Sequence, residues 1–253
     1  MQKQYQLFHI NDSFSEFQKL EYPCQIRGGG YLKVLACKGL ILFAPSFRKN
    51  GLKSLVLWNP AIRMSMTLSQ PYKFYTTDRE YHIYGFGFDH TSNDYKVLRM
   101  VLICALGRRL SKPFLSHAEL YKLCTGTWET IRVPEDFQYG IVDHRQALVN
   151  GASHWAGYYK RDMASDFPKS VVLLFHMCDE EFRVMKLPDC LSNLDGNDFD
   201  AIGVSGGLLS LIECNLQDAI IWLMKEYGVV GPNNLPLKMV GGVGRYSLFG
   251  TTK

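Results

Sequence analysis

The sequence lacks an apolar run that is long enough to cross a membrane. Its longest uninterrupted apolar stretch, residues 100–107, is far short of the ~18 residues that a spanning helix needs. Residues 1–6 contain neither the apolar core nor the small-residue cleavage site of an export signal. Both absences predict a protein that makes no membrane contact and stays inside the cell.

A strong charge imbalance and closely spaced cysteines are absent as well. The 253 residues include 28 Lys and Arg against 24 Asp and Glu, a net charge of +4, whereas a nucleic-acid-binding protein carries a strongly basic face. The seven cysteines include no C-x-x-C pair, and no H-E-x-x-H spacing occurs. We therefore expect reduced thiols in a cytoplasmic or nuclear protein, with no nucleic acid, metal or cofactor bound.

Helical periodicity is equally scarce, whereas strand-like runs are abundant. No window keeps a helical period over more than about three turns. Instead, runs of about four to eight aliphatic and aromatic residues alternate with Gly, Asn, Asp and Pro. The content of 47% hydrophobic and 13% aromatic residues argues against disorder. The pattern predicts an all-β protein.

Two kinds of run alternate along the chain and indicate a repeat. The first kind is a small or polar residue plus glycine before an apolar strand, and its markers are Gly39, Gly85, Gly151 and Gly206. The second kind is an apolar strand, a polar turn and a further strand ending near proline, and its markers are Leu7, Leu57, Leu120, Leu174 and Ile221. Steps of 46 to 66 residues fit propeller blades of about 40–50 residues with loop insertions. The sequence predicts a β-propeller; a β-sandwich, the alternative, explains the strands but not the period.

Five blocks of sequence, taken in order, carry a family resemblance. The blocks are Gly39–Ile41 with Trp58–Arg63, Tyr84–Asp89 with Ser92–Val97, Asn150–Trp155, Phe175–Pro188 and Trp222–Gly228. They resemble the GLI…WNP-x-x-R, YGFGYD…DDYKVV, NGxLHW, FD…F…LP and W-x-MKEYG elements of the plant F-box-associated domain family. Together they cover most of the chain.

The resemblance implies a kelch-like propeller that serves as the substrate-recognition part of an F-box protein. Such a module is not an enzyme: it binds a protein or glycoprotein target, which a cullin–RING ubiquitin ligase then modifies. In that family a separate F-box binds the ligase adaptor. Because the sequence shows no recognisable F-box, we expect the adaptor as a partner only if an F-box is supplied elsewhere. A truncated relative without ligase function is an alternative.

The resemblance also suggests a boundary near the carboxyl end. We expect residues 1–228 to form the propeller-like domain and residues 229–253 to form a divergent Gly-rich tail. After the block that ends at Gly228 the family continues with a Ser-Trp pair, whereas here no Trp follows Trp222. The propeller is therefore expected to be incomplete at its ends.

Basic and aromatic residues between predicted strands are the candidates for partner binding. Loops of a propeller gather on one face, and Arg and aromatic side chains are the usual anchors of interfaces. The candidate residues are Arg108, Arg109, Phe114, Tyr158, Tyr159, Lys160 and Arg161. Their charge suits an acidic or peptidic partner.

Tryptophans and histidines inside strands are expected to have structural roles. The tryptophans of the repeat are Trp58, Trp128, Trp155 and Trp222, which we expect to pack the blades. His154 and His176 lie within apolar strands, where a hydrogen-bonded core or edge histidine is more common than a metal ligand.

A small serine hydrolase that uses Ser205 is the alternative from a different functional class. Residues 203–207 match the G-x-S-x-G nucleophile elbow, which needs a strand before it, a helix after it and a later histidine. Residues 208–212 resemble a strand, and the last histidine, His176, precedes Ser205. A turn built on a glycine pair is the preferred interpretation.

Overall fold

The computed structural model of the chain describes residues 7–10, 17–20, 32–45, 54–69, 80–104, 113–133, 137–142, 144–159, 169–185, 187, 201–214, 219–228 and 236–239. Regular structure in these residues consists of strands alone, so the predicted all-β class is confirmed. Within these ranges, no helix is long and apolar enough to cross a bilayer.

Residues 1–133 form one compact unit. Its strands are β1 (Leu7–Ile10), β2 (Phe17–Leu20), β3 (Leu32–Cys37), β4 (Leu40–Pro45), β5 (Val56–Asn59), β6 (Met64–Thr67), β7 (Glu80–Asp89), β8 (Asp94–Ile103), β9 (Phe114–Lys122) and β10 (Thr127–Ile131). β1 pairs with β2, whereas β3–β6 and β7–β10 form two four-stranded antiparallel sheets in chain order.

Residues 134–253 form the second unit. Its strands are β11 (Tyr139–Ile141), β12 (Ala147–Val149), β13 (Ala152–Tyr159), β14 (Lys169–His176), β15 (Glu181–Met185), β16 (Ala201–Ser205), β17 (Leu208–Cys214), β18 (Ala219–Leu223) and β19 (Pro236–Met239). β11 and β12 both pair with β13, so they are two halves of one interrupted first strand. β16–β19 form the last sheet, and β19 lies in the stretch for which a tail is predicted.

The sheets follow the two kinds of run in the sequence. In three of the four larger sheets, the glycine of a run of the first kind lies in the turn of the first hairpin. In all four, the marker of a run of the second kind lies in the third strand, with β11 and β12 counted as one. The β1–β2 pair is a hairpin of the second kind. The predicted repeat is therefore confirmed.

The first hairpins turn on residues with positive φ. Two-residue turns occur at Lys38 and Gly39, at Asn150 and Gly151, and at Gly206 and Gly207. Turns of this kind match the twist of the strands they join and need positive φ at both positions. This requirement explains why glycine takes the second position each time.

One marker of the repeat is wrong. Gly85 lies inside β7, not in a turn. The hairpin of that sheet turns through residues 90–93, where Asn93 has a φ of 53°. Asn tolerates this region because its short side chain bonds to the local backbone, so a longer turn replaces the glycine pair.

Each unit contains buried apolar side chains, and the second unit has one continuous core. This core joins its two larger sheets through residues such as Val172 of β14, Ile202 of β16 and Leu211 of β17. Trp222 and Met224 pack against it. Apolar burial of this kind is the main favourable term for folding.

The tryptophans occupy the packing positions that the repeat predicts. Trp58, Trp128 and Trp155 are at most 5% exposed, and Trp222 is partly buried. The indole Nε1 of Trp128 donates a hydrogen bond to the carbonyl of Ser69 at 2.8 Å. These side chains therefore serve the sheets and do not present a binding face.

Candidate partner-binding surface

The predicted basic residues fall at one recurring position, the connection between the second and third strands of a sheet. Arg108 and Arg109 follow β8 and precede β9, and Lys160 and Arg161 follow β13 and precede β14. All four lie outside the described residues. Their role in binding stays a prediction.

The predicted aromatic residues lie next to these connections. Phe114 begins β9 and is half-buried. Tyr158 and Tyr159 end β13; Tyr158 is 2% exposed, whereas Tyr159 is half-buried. Successive residues of a strand point to opposite faces, which explains the difference. Phe114 and Tyr159 keep surface that a partner could contact.

Tyr159 belongs to an aromatic cluster of five rings in the second unit. The aromatic cluster consists of Phe137, Tyr139, Tyr159, Phe175 and Phe182. Tyr139 lies opposite Tyr159 across β11 and β13, with ring centroids 5.1 Å apart. Phe137 packs against Tyr139 at 4.7 Å and against Phe182 at 5.7 Å, and Phe182 contacts Phe175 at 5.0 Å.

The aromatic cluster combines a fixed geometry with accessible rings. Phe175 is fully buried and anchors it, while the other four rings are half-buried. Rigid aromatic side chains lose little conformational entropy when a partner binds, and they dominate the energetics of many interfaces. The sequence predicted only Tyr159; the alternation of Phe137 and Tyr139 is a signal that places both on one face of an extended segment.

A second exposed group joins two turns of the first unit. The Nζ of Lys38 lies 3.9 Å from the ring centroid of Phe88 and 3.4 Å from Nδ1 of His90. The ring of Phe88 packs against Tyr95 at 4.9 Å, and the Tyr95 hydroxyl donates to the Lys38 carbonyl at 2.9 Å. The turn between β3 and β4 is thereby bound to the turn between β7 and β8.

The Tyr84–Asp89 and Ser92–Val97 blocks form the hairpin of β7 and β8, and their charged residues have a structural role. Lys96 Nζ donates to Asp89 Oδ2 at 2.6 Å, and both side chains are buried. Asp94 Oδ1 accepts a hydrogen bond from the backbone amide of Cys124 at 2.9 Å. These charges therefore stabilise the hairpin of β7 and β8 and attach it to the turn between β9 and β10.

A buried polar row crosses the middle of the same sheet. Tyr84, Arg99 and Glu119 lie opposite one another on β7, β8 and β9. Arg99 Nη1 donates to Glu119 Oε2 at 2.5 Å, and both residues are almost completely buried. Burial raises the pKa of Tyr84 to about 12. The charges of Arg99 and Glu119 therefore compensate each other inside the sheet, and the row offers no charge to a ligand.

A buried histidine connects two of the sequence blocks in the second unit. His154 Nδ1 donates to the Ala147 carbonyl at 3.1 Å, so Nε2 accepts a hydrogen bond from the Tyr227 hydroxyl at 2.6 Å. Burial lowers the pKa of His154 to about 4 and raises that of Tyr227. The prediction of a hydrogen-bonded core histidine is confirmed.

Ser205 lies in a hairpin and not in a nucleophile elbow. It ends β16 and is paired with Leu208, the first residue of β17, across the turn of Gly206 and Gly207. A strand follows this turn, where an elbow requires a helix. The preferred interpretation of a turn glycine pair is confirmed.

In the described residues, antiparallel sheets of four or five consecutive strands recur four times, which is the pattern of the blades in the β-propeller class. The sequence model of the F-box associated β-propeller domain matches residues 5–230. The chain therefore belongs to the F-box associated β-propeller domain family, and the resemblance carried by the five blocks is confirmed.

Several known proteins are similar to this chain. An F-box/kelch-repeat protein of Arabidopsis thaliana is 28% identical over 213 residues, which cover 83% of this chain and 53% of that protein. The F-box protein CPR1 of Arabidopsis thaliana is 28% identical over 233 residues, which cover 86% and 54%. The chain thus spans about half the length of these relatives.

Among solved structures, the chain is similar to the β-propeller domain of the trilobed protease from Pyrococcus furiosus. The two are 9% identical with a TM-score of 0.35, and the match covers 81% of this chain and 66% of that one.

Proposed function

We propose that this chain is the target-recognition module of an F-box protein and has no catalytic activity of its own. The observation that carries this proposal is the family match over residues 5–230. The module binds a protein or glycoprotein, and a cullin–RING ligase assembled on the whole protein transfers ubiquitin to it. A recognition role also agrees with the hairpin geometry of Ser205, which lacks the helix that a hydrolase nucleophile requires.

The aromatic cluster is the part of the described chain that we assign to target binding. Four of its rings are half-buried, so their exposed edges can pack against a partner. Lys160 and Arg161 directly follow Tyr159 in the sequence, and both are basic. A peptide segment of the target suits this combination if it carries acidic side chains or side chains that pack on aromatic rings.

The ligase adaptor is a partner of the whole protein in this proposal. The relatives are F-box proteins by name, and this chain spans about half of their length. Adaptor binding therefore requires an F-box in addition to the residues described here. The protein would act in the cytoplasm or the nucleus.

Affinity capture with matched variants tests the proposal. The tagged chain, a Tyr139→Ala/Tyr159→Ala variant and a Tyr81→Ala control are expressed in plant cells with the proteasome inhibited, and captured proteins are quantified by mass spectrometry. Tyr81 is an exposed tyrosine of the other unit. We expect a defined partner whose recovery falls at least about tenfold with the double variant and stays unchanged with the control.

Each other outcome has a definite meaning. Equal recovery with all three proteins would show that the target binds elsewhere than at the aromatic cluster. Recovery of no defined partner by any of them would contradict the recognition function itself. Circular dichroism of the purified variants verifies that the tyrosine substitutions leave the sheets intact.

A further inference from the structure

The outer strand of the first large sheet has an unusually apolar exposed edge. β6 is the last strand in the order β3-β4-β5-β6, and all four of its residues are exposed. Met64 is 66% exposed and Met66 is 45% exposed, and Ile62 in the preceding turn is 61% exposed. Three large apolar side chains are therefore exposed to solvent along β6 and the turn before it.

The last strands of two other sheets carry charges that β6 lacks. β10 includes Glu129, and β15 includes Glu181 and Arg183. Charged side chains on edge strands are a common device against pairing with other chains. The sequence of β6 is Met-Ser-Met-Thr, so the last strand of this sheet lacks this protection.

The backbone of β6 presents groups at this edge that pair with no strand in the described part of the chain. The amide of Leu68 donates to the carbonyl of Leu55 at 2.9 Å, which identifies a hydrogen-bonded pair of the antiparallel ladder. Since such pairs alternate along a ladder, both methionines bond to β5, whereas the N–H and C=O groups of Ser65 and Thr67 point away from it. No described strand lies on that side.

We propose that the free edge of β6 binds an extended segment of a partner protein, which adds a fifth strand to this sheet. The outward backbone groups of Ser65 and Thr67 require a strand, since only a strand offers donors and acceptors at matching intervals. Met64 and Met66 share one face, and their flexible side chains adapt to apolar partners. The segment therefore has uncharged, apolar side chains at alternate positions.

This binding edge and the aromatic cluster consist of different residues. β6 belongs to the first unit, whereas the aromatic cluster belongs to the second. The partner strand is thus a second interaction of the chain, and it does not depend on the proposed function.

Selection from a peptide library tests the proposal. A phage-displayed library of random peptides about ten residues long, enough for an ordinary strand, is panned on the purified chain. We expect enriched peptides with apolar residues at every second position. A Met64→Lys/Met66→Lys variant should bind them at least about tenfold more weakly, whereas Thr130→Lys, which adds charge to exposed β10, should bind as well as the wild type.

A second variant and a second measurement distinguish loss of the binding edge from misfolding of the variant. Ser65→Pro removes an outward N–H but leaves the ladder to β5 intact, so it should also lose the peptide. Hydrogen exchange should show that the peptide newly protects the amides of Ser65 and Thr67. The proposal would be overturned if no peptide is enriched, or if the Lys and Pro variants still bind the enriched peptides. A dimer in sedimentation velocity that the double Lys variant dissociates would overturn it too, because a second copy would then occupy the edge.

Discussion

His154 shows how one side chain links pH to the stability of the second unit. Its ring is completely buried and bonded at both nitrogens, with the proton on Nδ1. A protonated ring would lose the hydrogen bond that Nε2 accepts from Tyr227 and would carry an unpaired charge in the core. The neutral form is therefore the one that the fold stabilises.

We predict that acid destabilises the chain through this histidine. The pKa is about 4 in the folded state against 6.5 for the unfolded chain, so the unfolded state binds the proton more readily. This histidine contributes at most about 3 kcal/mol to the free energy of unfolding. The contribution is fully present above pH 6.5 and is lost as the pH falls to about 4. Urea unfolding at a series of pH values measures it.

The control for this prediction is an exposed histidine. His90→Gln serves as the control substitution, because the ring of His90 lies at the surface. His154→Gln should flatten the dependence in this pH range, whatever its effect on stability at neutral pH. An unchanged slope in His154→Gln would assign the acid sensitivity to other groups.

At the scale of the strand and the hairpin, the buried row of β7, β8 and β9 ties a sheet together through charge. Arg99 and Glu119 face each other in register, and neither side chain reaches water. Removing one partner of a buried pair leaves the other uncompensated, which costs more than the pair contributes. The sheet therefore tolerates the loss of both charges better than the loss of one.

We predict that Arg99→Met destabilises the chain by about 3–5 kcal/mol. Arg99→Met with Glu119→Leu should recover a large part of that loss, because the second substitution removes the unpaired carboxylate. Urea unfolding of the wild type, the two single variants and the double variant gives the coupling energy. A double variant whose loss equals the sum of the single losses would show that the two charges act independently.

The hairpins were the part of the fold that local sequence determines. The glycines of the turns at Gly39, Gly151 and Gly206 are needed for positive φ, so they marked the first hairpins correctly. Gly85 follows Tyr84, whereas each of these turn glycines follows a polar residue, and Gly85 lies within β7. Glycine alone therefore does not identify a turn.

The aromatic cluster shows why the site was only partly predictable. Tyr139 and Phe182 lie 43 positions apart in the sequence and meet through Phe137. The hydrogen bond of His154 and Tyr227 joins residues 73 positions apart. Such contacts depend on how strands pair and pack, and no local pattern in a single sequence encodes them.

At the scale of the whole molecule, the chain has two units that each contain buried apolar residues. We predict that the chain expressed alone unfolds cooperatively, since cores of this kind are the source of cooperative transitions. Thermal unfolding followed by circular dichroism, with near-ultraviolet and far-ultraviolet signals compared, measures it. A gradual loss of signal without a transition would favour the alternative of a truncated relative that does not fold.

The order of strands has a consequence for how the chain is made. In the described residues, every sheet consists of strands that follow one another in the sequence. A ribosome adds roughly 5–20 residues each second, whereas a hairpin forms in about 1–10 μs. The strands of each sheet are therefore all available before those of the next sheet emerge. Synthesis of this protein is a succession of sheets that can pair one at a time from the amino end onward.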